Sequence, residues 1–163
     1  MNKRLNNSAM NFVHDNSILS ADEDISLITY RPIGIVHSPY KALGDCPRQP
    51  SLSGEVEGIV ELFPEYVEGV EGIEHLSHIL LVCHFHLSEG YSLMVEPHGS
   101  KRHGRGVFAT RAPARPNAIG ISVVRFIKIE GNKIHFMDVD LVDGTPVIDI
   151  KPCPIQCYPS NNW

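Results

Sequence analysis

Cysteine is scarce in this 163-residue chain, and its four cysteines are spaced too unevenly to indicate a disulfide framework: Cys46, Cys83, Cys153 and Cys157. No apolar run approaches the roughly 18 residues that a membrane span needs. The first thirty residues also lack the apolar core, about 7–15 residues long, of a secretory signal. We therefore expect a protein of the reducing cytosol with no membrane partner.

Positive charge is also in short supply, with 14 Lys and Arg against 19 Asp and Glu and a formal net charge of −5. This balance argues against coating of nucleic acid by a basic surface, although a local patch can still act. One basic loop without any acid contains Lys101, Arg102, Arg105, Arg111 and Arg115. Such a loop suits a phosphate-bearing partner. We interpret the seven glutamates between residues 52 and 76 as a solvated face.

Short apolar segments punctuated by Gly and Pro predict a mainly β domain. Strands are predicted over 33–36, 56–62, 77–85, 106–110 and 119–129. Gly131-Asn132 then predicts a tight hairpin turn. The returning strand changes phase between Phe136 and Val139, which indicates a β-bulge. Residues 65–76 form the best helix candidate, short or broken because of Gly69 and Gly72.

These elements predict one domain, either a β-sandwich or a β-barrel. Residues 1–26 are polar and lack a period, so we expect a flexible leader. We assign residues 27–155 to the packed domain and 156–163 to a short tail.

Several familiar kinds of site are disfavoured by the sequence. The pair His84 and His86 would share a strand face, but no third ligand stands at a suitable spacing, so we predict no metal. Gly104-x-Gly106-x-x-Ala109 has the letters of a dinucleotide motif without the preceding strand and following helix. There is no G-x-S-x-G, and Cys83 lies in an apolar run, which leaves Cys46 as the plausible exposed thiol.

Three polar clusters are better candidates for a site. They are Pro47-Arg48-Gln49-Pro50, the loop 110–117 with two arginines and Asn117, and the acids Asp138, Asp140 and Asp143. The guanidinium group of arginine binds carboxylate or phosphate with two hydrogen bonds, and an amide can bind the edge of a base. A carboxylate stabilises a nearby cation. The combination indicates a polar ligand of mixed charge.

The chain resembles the TrmO (TsaA-like) family at these clusters. The resemblance rests on six segments in order: I-G-I-V-H-S-P-Y-K (33–41), P-R-Q-P (47–50), G-I-E-H-L-S-H (72–78), G-V-F-A-T-R (106–111), R-P-N-A-I-G-I-S (115–122) and D-L-V-D-G-T-P-V-I-D-I-K-P (140–152). Characterised members are methyltransferases that act on N6-threonylcarbamoyladenosine at position 37 of tRNA. Two departures stand out: Cys153 replaces the usual aromatic residue, and longer bacterial members continue into a second small domain.

The resemblance implies a small antiparallel or mixed β-barrel with short helices that forms a homodimer and binds S-adenosylmethionine (SAM) near the subunit interface. The implied cofactor contacts are Pro47, Arg48, Gln49, Phe85, His86, Arg111, Ile121, Met137, Asp138, Val139 and Asp140. For the substrate, the anticodon loop of tRNA, we expect contacts from Lys101, Arg102, Arg105, Arg115, Asn117, Asp143 and Thr145. His86 and Asp140 are the candidate catalytic proton acceptors.

Two other functions stay open at this point. One is a methyltransferase of the same fold that acts on a small molecule, and the other is a non-catalytic module that binds SAM or RNA. In the methyltransferase interpretations, most of the acceleration must come from holding the acceptor nitrogen in line with the methyl group.

Overall fold

The computed structural model describes residues 27–96 and 104–153. The chain divides into two units, Met1–Arg31 and Pro32–Trp163. Residues 27–31 of the first unit contain no helix or strand. The predicted leader, the tail from residue 156, and Lys101 and Arg102 lie outside the described residues. Within the described part, no helix is long and apolar enough to cross a membrane.

In its described residues, 32–96 and 104–153, the second unit is built mainly from eight β-strands. In chain order they are β1 (Gly34–His37), β2 (Glu57–Leu62), β3 (His78–His84), β4 (Met94–Val95), β5 (Arg105–Gly106), β6 (Ile119–Glu130), β7 (Lys133–Met137) and β8 (Pro146–Pro152). Its described helices are all of the 3₁₀ type: Pro50–Leu52, Pro64–Val70, Ile73–His75 and Val107–Ala109. The mainly β prediction is confirmed.

Six of the strands form one antiparallel sheet in the order β1-β2-β7-β6-β3-β8. The sheet has the closed order of a barrel, because β1 also pairs with β8 through Gly34 and Val147. Closure leaves no free edge, which is one way in which β proteins avoid edge-to-edge association. The two remaining strands, β4 and β5, pair as a small separate hairpin.

The core lies inside this sheet because apolar side chains alternate along the strands. Along β3, Ile79, Leu81 and Cys83 are buried while their neighbours are only half-buried. The same alternation places the inward side chains of β2, β6 and β7 in a single apolar cluster. Gly58 is required in that cluster because a Cβ there would overlap the Phe136 ring.

The β6–β7 hairpin confirms the predicted turn at Gly131-Asn132. Glu130 pairs with Lys133, and Gly131 has a φ of +62° at the first central position, where a type II′ turn needs glycine. The helix predicted over 65–76 is short and broken, as expected: Pro64–Val70 and Ile73–His75 are separate 3₁₀ helices. Gly72, with a φ of +91°, lies between them.

Two strand predictions need correction. The strand predicted over 106–110 is confined to β5, and Val107–Ala109 forms a 3₁₀ turn instead. The phase change after Phe136 is real, but it arises where β7 ends, because Asp138 adopts a left-handed backbone with a φ of +70°. The irregular register of this strand pair lies on the partner strand, between Phe126 and Lys128.

Candidate functional site

Six strand ends meet at one end of the closed sheet. Because neighbouring strands are antiparallel, the carboxyl ends of β1, β3 and β7 lie beside the amino ends of β2, β6 and β8. We call this end the site rim. The described segments that border it are 38–56, 85–96, 104–118 and 138–145. All three polar clusters of the sequence lie on these segments.

Asp140 is the central ionisable group of the site rim. Ser122 on β6 donates a hydrogen bond from Oγ to Asp140 Oδ1 at 2.5 Å. Burial raises the pKa of Asp140 from 3.8 to about 6, although the Ser122 hydrogen bond and the Arg111 charge act in the opposite direction. The carboxyl group therefore changes charge close to neutral pH, as groups at functional sites often do.

Arg111 brings positive charge to Asp140 from the second cluster. Its Nη2 donates to the backbone oxygen of Ile121 at 2.6 Å, which anchors the guanidinium on the first residues of β6. The Arg111 side chain is exposed, and about half of Ile121 is exposed beside it. An anchored yet accessible guanidinium can bind a carboxylate or phosphate through its remaining N–H groups.

The charge of Asp140 also affects the pKa values of Tyr40 and two cysteines. Burial, followed by the Asp140 charge, raises the pKa of Cys46 to about 11 and also raises that of the buried Cys83. Burial raises the pKa of Tyr40, with smaller effects from Cys46 and Asp140. Both thiols are therefore protonated at neutral pH, which makes them poor nucleophiles.

The first cluster lies on the segment that carries Cys46. Arg48 is exposed, whereas Pro47 and Gln49 are half-buried. Gln49 Nε2 donates to Ser51 Oγ at 2.9 Å, and the following 3₁₀ helix, Pro50–Leu52, lies against β6. The cluster is thereby held beside the strand that carries Ser122.

Phe85 and His86 extend the site rim beyond the end of β3. The Phe85 ring packs directly on Gly120, where a Cβ would overlap it. The backbone N–H of Phe85 donates to Ala118 O at 2.7 Å. Burial, and then the neighbouring His84, lowers the pKa of His86, so its imidazole is neutral at pH 7. His86 Nε2 lies close to Gly144, on the segment that follows Asp140.

The predicted cofactor stretch 137–140 has residues in different environments. Val139 is fully buried in the core, and Met137 is half-buried at the end of β7. Asp138 Oδ2 lies 3.4 Å from Nε of Arg125. The Val139 N–H donates to Val56 O at 3.1 Å, which ties the stretch to the start of β2.

Asp143 and Thr145, predicted to bind substrate, make contacts within the protein. Asp143 accepts a hydrogen bond from the Ser38 N–H at 3.0 Å and lies 2.7 Å from Lys41 Nζ. Lys41 and the Ser38 N–H, with the smaller effect of His37, lower the pKa of Asp143 despite its partial burial. Thr145 is buried and donates from Oγ1 to Val142 O at 2.6 Å. The Asp143 contacts hold the loop after β7 against the loop after β1, whereas the Thr145 bond lies within the loop after β7.

Arg115 is also engaged within the protein. Its Nη1 lies within hydrogen-bond distance of three carbonyl oxygens, those of Val107, Thr110 and Ala112. Its guanidinium also lies 5.9 Å from the Phe108 ring centroid. This arginine therefore shapes the 107–115 loop. Asn117 and Arg105 have exposed side chains on the same rim.

No cluster of three or more metal-ligating side chains occurs within 27–96 and 104–153. The groups gathered around Asp140 are instead a carboxyl, a guanidinium, a hydroxyl and a phenol. This set suits an organic ligand that carries both charges.

Comparison with known proteins identifies the fold family. Residues 35–157 match the family described as "tRNA-methyltransferase O N-terminal domain". The chain belongs to this family. A crystal structure of TrmO from Pseudomonas aeruginosa superposes with a TM-score of 0.68 at 39% identity, covering 82% of this chain and 59% of that one.

Relatives of the tRNA-methyltransferase O N-terminal domain family occur in distant organisms. A "Probable S-adenosyl-L-methionine-binding protein" of Pyrococcus abyssi is 55% identical over 127 residues, which cover 77% of this chain and 68% of that protein. A mouse "tRNA (adenine(37)-N6)-methyltransferase" is 36% identical over 127 residues. That match covers 74% of this chain and 30% of the mouse protein.

Sequence reasoning did not select Ser122, Tyr40 or Arg125 as site residues. Ser122 did carry a signal, because it is a polar residue at an inward position between Gly120 and Val124 in an alternating strand. A buried hydroxyl needs a partner, so such a position indicates a nearby polar group. Tyr40 and Arg125 carried no comparable local signal.

Proposed function

We propose that this chain transfers a methyl group from SAM to N6 of threonylcarbamoyladenosine at position 37 of tRNA. Family membership supports a SAM-dependent methyltransferase. The observation that carries the proposal is the arrangement at the site rim, where the charges of Asp140 and Arg111 interact beside the exposed start of β6. When bound, the cofactor supplies an activated methyl group on a sulfonium.

The residues of the rim fit such a zwitterionic cofactor. Arg111 and Arg48 present exposed guanidinium groups that can pair with a carboxylate. Asp140, which is ionised above about pH 6, can hold a cationic group. Phe85, His86 and Ile121 line the adjoining strand ends, and we assign Pro47, Gln49, Met137 and Asp138 to the same cofactor site. Val139 was also expected there, but it is fully buried and packs in the core behind the site.

The chain contributes orientation and a proton acceptor. Holding the acceptor nitrogen in line with the methyl group accounts for most of the acceleration that such a transfer needs. Asp140 takes up the proton that the nitrogen loses, which typically contributes about 10²–10⁴-fold. His86 is the second candidate for this role because it is neutral at pH 7 and lies beside the same loop.

The substrate is proposed to approach over the 104–118 segment of the rim. Arg105 and Asn117 are exposed there, and Lys101 and Arg102 are expected to meet the phosphate backbone. Asp143, Thr145 and Arg115 contribute by shaping the two flanking loops. We also propose a cytoplasmic location, which a tRNA substrate favours.

We also propose that two copies associate through the site rim. Large apolar side chains are exposed along its segments and at the start of β6, and a surface of this kind favours a protein partner. They are Leu43, Leu52, Leu87, Tyr91, Leu93, Met94, Phe108 and Ile121. Light scattering after size exclusion tests this; Phe108→Asp should convert a dimer into a monomer, and a monomeric parent chain would refute it.

Incubation with SAM and tRNA carrying the modified adenosine, followed by nucleoside mass spectrometry, tests the function. A gain of one methyl group on that nucleoside supports the proposal. Binding of SAM without methylation of tRNA refutes it in favour of a small-molecule methyltransferase or a binding module. A metabolite screen with methyl-labelled SAM then separates those two. Unmodified tRNA is the matched control for the acceptor.

A further inference from the structure

Ser122 combines an unusual position with a charged partner. It is 1% exposed, it lies between the inward-facing Gly120 and Val124, and it pairs with Leu81 of β3. A hydroxyl in such an apolar layer is costly unless it is hydrogen-bonded. Its bond to Asp140 Oδ1 connects the first part of β6 with the loop after β7. No other side chain in the described residues is shown to donate to this carboxyl group.

The ionisable groups whose charges interact with Asp140 come from three neighbouring parts of the chain. Arg111 approaches from the loop before β6, Tyr40 and Cys46 from the segment after β1, and Cys83 from β3. Arg111 is the charged group among these four at neutral pH. None of these four groups is shown to hydrogen-bond to Asp140, whereas Ser122 fixes an individual oxygen of its carboxyl group by a hydrogen bond.

We propose that Ser122 is a positioning residue of the methyl-transfer site, whose buried hydroxyl orients the Asp140 carboxylate. This inference rests on the proposed function, in which Asp140 accepts the proton. Ser122 itself touches neither cofactor nor substrate in the proposal. Its effect passes entirely through Asp140.

The hydrogen bond has a measurable consequence for the charge of Asp140. Because it stabilises the ionised form, its loss raises the pKa of Asp140 above about 6. For a bond to a charged group, we expect a rise of about one pH unit. The Ser122→Ala protein is then about half protonated at Asp140 near pH 7, so it loses about half of its methyl transfer there and recovers at pH 9.

Two readouts on the full chain test this. Carbon-13 NMR titration of the Asp140 carboxyl, assigned with Asp140→Asn, gives its midpoint directly and requires no ligand. Methyl transfer to modified tRNA from pH 5 to 9 gives the midpoint of activity. We expect both midpoints to rise by about one pH unit in Ser122→Ala. Ser122→Thr, which retains the hydroxyl, should restore both.

Ser38→Ala is the matched control. Its Oγ also donates a buried bond, but to the Leu141 carbonyl oxygen at 2.7 Å rather than to a carboxylate. We expect Ser38→Ala to leave the Asp140 midpoint unchanged. A purely structural role for Ser122 would make both alanine variants less stable without moving either midpoint.

The outcomes separate the two proposals. Methyl transfer by the parent chain with unchanged midpoints in Ser122→Ala overturns the inference and leaves the proposed function intact. A parent chain that binds no SAM overturns the proposed function, and with it this role of Ser122. An upward midpoint that the threonine variant restores supports the inference.

Discussion

The two rims of the closed sheet follow different rules. At the rim opposite the site, Gly131 occupies the turn position of the β6–β7 hairpin that requires a positive φ. Asn132 Nδ2 donates to Leu62 O at 2.9 Å, so this hydrogen bond of the turn is made by a turn residue itself. At the site rim, Glu55 and Asp138 have φ values of +62° and +70° without being glycine, and Asp140 is an ionisable group with a raised pKa. The strained backbone and the buried carboxyl group therefore lie at the rim where function is expected, since functional sites often retain strain and buried charge.

Among the variants of the two rims, Asp140→Asn is expected to have the largest effect, because it removes the ionisable group of the site rim. The amide keeps the shape of the side chain and can still accept from Ser122, but it cannot take up a proton. We expect methyl transfer to fall by about 10²-fold or more. The rise of activity through about pH 6 should also disappear. Radiolabelled methyl transfer at pH 5–9 measures both.

Glu74→Gln, on the opposite rim, is the control for loss of a carboxylate. Glu74 Oε2 accepts from the Gly72 N–H and has no contact with the Asp140 group in the structure. Its activity should match that of the parent chain. Equal activities of Asp140→Asn and the parent would remove Asp140 from the mechanism and leave His86 as the candidate.

Gly120→Ala should show how tightly the site rim is packed. A Cβ at this position overlaps the Phe85 ring, which must move away from the end of β6. Overpacking of this kind costs about 2–3 kcal/mol in the free energy of unfolding. Urea denaturation measures the loss. Gly106→Ala is the matched control, since a Cβ there meets nothing within 4 Å; an equal loss in both variants would contradict the packing argument.

The pH dependence of stability offers a third comparison. The pKa of the Asp140 carboxyl is about 6 in the folded chain against an ordinary value of 3.8, so ionisation is disfavoured by folding. Its contribution therefore destabilises the protein increasingly as the pH rises from about 4 to 6. At pH 8, Asp140→Asn should therefore be more stable than the parent, with a free energy of unfolding that is larger by about 1–3 kcal/mol.

At pH 4 the two proteins should differ less, because the parent carboxyl is then protonated in the folded state. Thermal unfolding at both pH values decides this. A less stable asparagine variant at pH 8 would show that the Arg111 and Ser122 contacts outweigh the cost of burying the charge. The site residue would then support both stability and function.

The same contrast explains what the sequence could predict. The strands predicted over 33–36, 56–62, 77–85 and 119–129 agree with β1, β2, β3 and β6 within a residue or two, because each has its own apolar pattern. The apolar pattern does not predict β8, which begins and ends with proline and alternates poorly. Its strand character depends on pairing with β1 and β3, which local sequence does not reveal.

The candidate site was predictable as residue types and not as contacts. Arginine, amide and carboxylate clusters indicated a polar ligand, and topology brings all three clusters to one rim. The partnership of Ser122 with Asp140 depends on sheet register, and so does the clasp of Arg125 on Glu55 and Asp138. The motifs suggested substrate contacts for Arg115 and Thr145, but they could not predict that both side chains bind backbone carbonyl oxygens within the protein.

Arg125→Gln provides the most delicate test of the two rims. Its guanidinium lies 3.2 Å from Glu55 Oε1 and 3.4 Å from Asp138 Oδ2, so one side chain holds both left-handed residues that lead into the rim. The groups are partly exposed, and solvent weakens the pairs, so we expect a loss of only about 0.5–1 kcal/mol in stability. If the clasp also keeps the 138–140 backbone in place, SAM affinity should fall about 3-fold, a free-energy change of similar size. Isothermal titration calorimetry measures the affinity.

Lys128→Gln is the control for loss of an exposed ion pair. Lys128 pairs with Glu130 near the opposite rim, so its loss should change neither the stability nor the SAM affinity. Equal behaviour of the two variants would show that Arg125 forms only an ordinary surface ion pair.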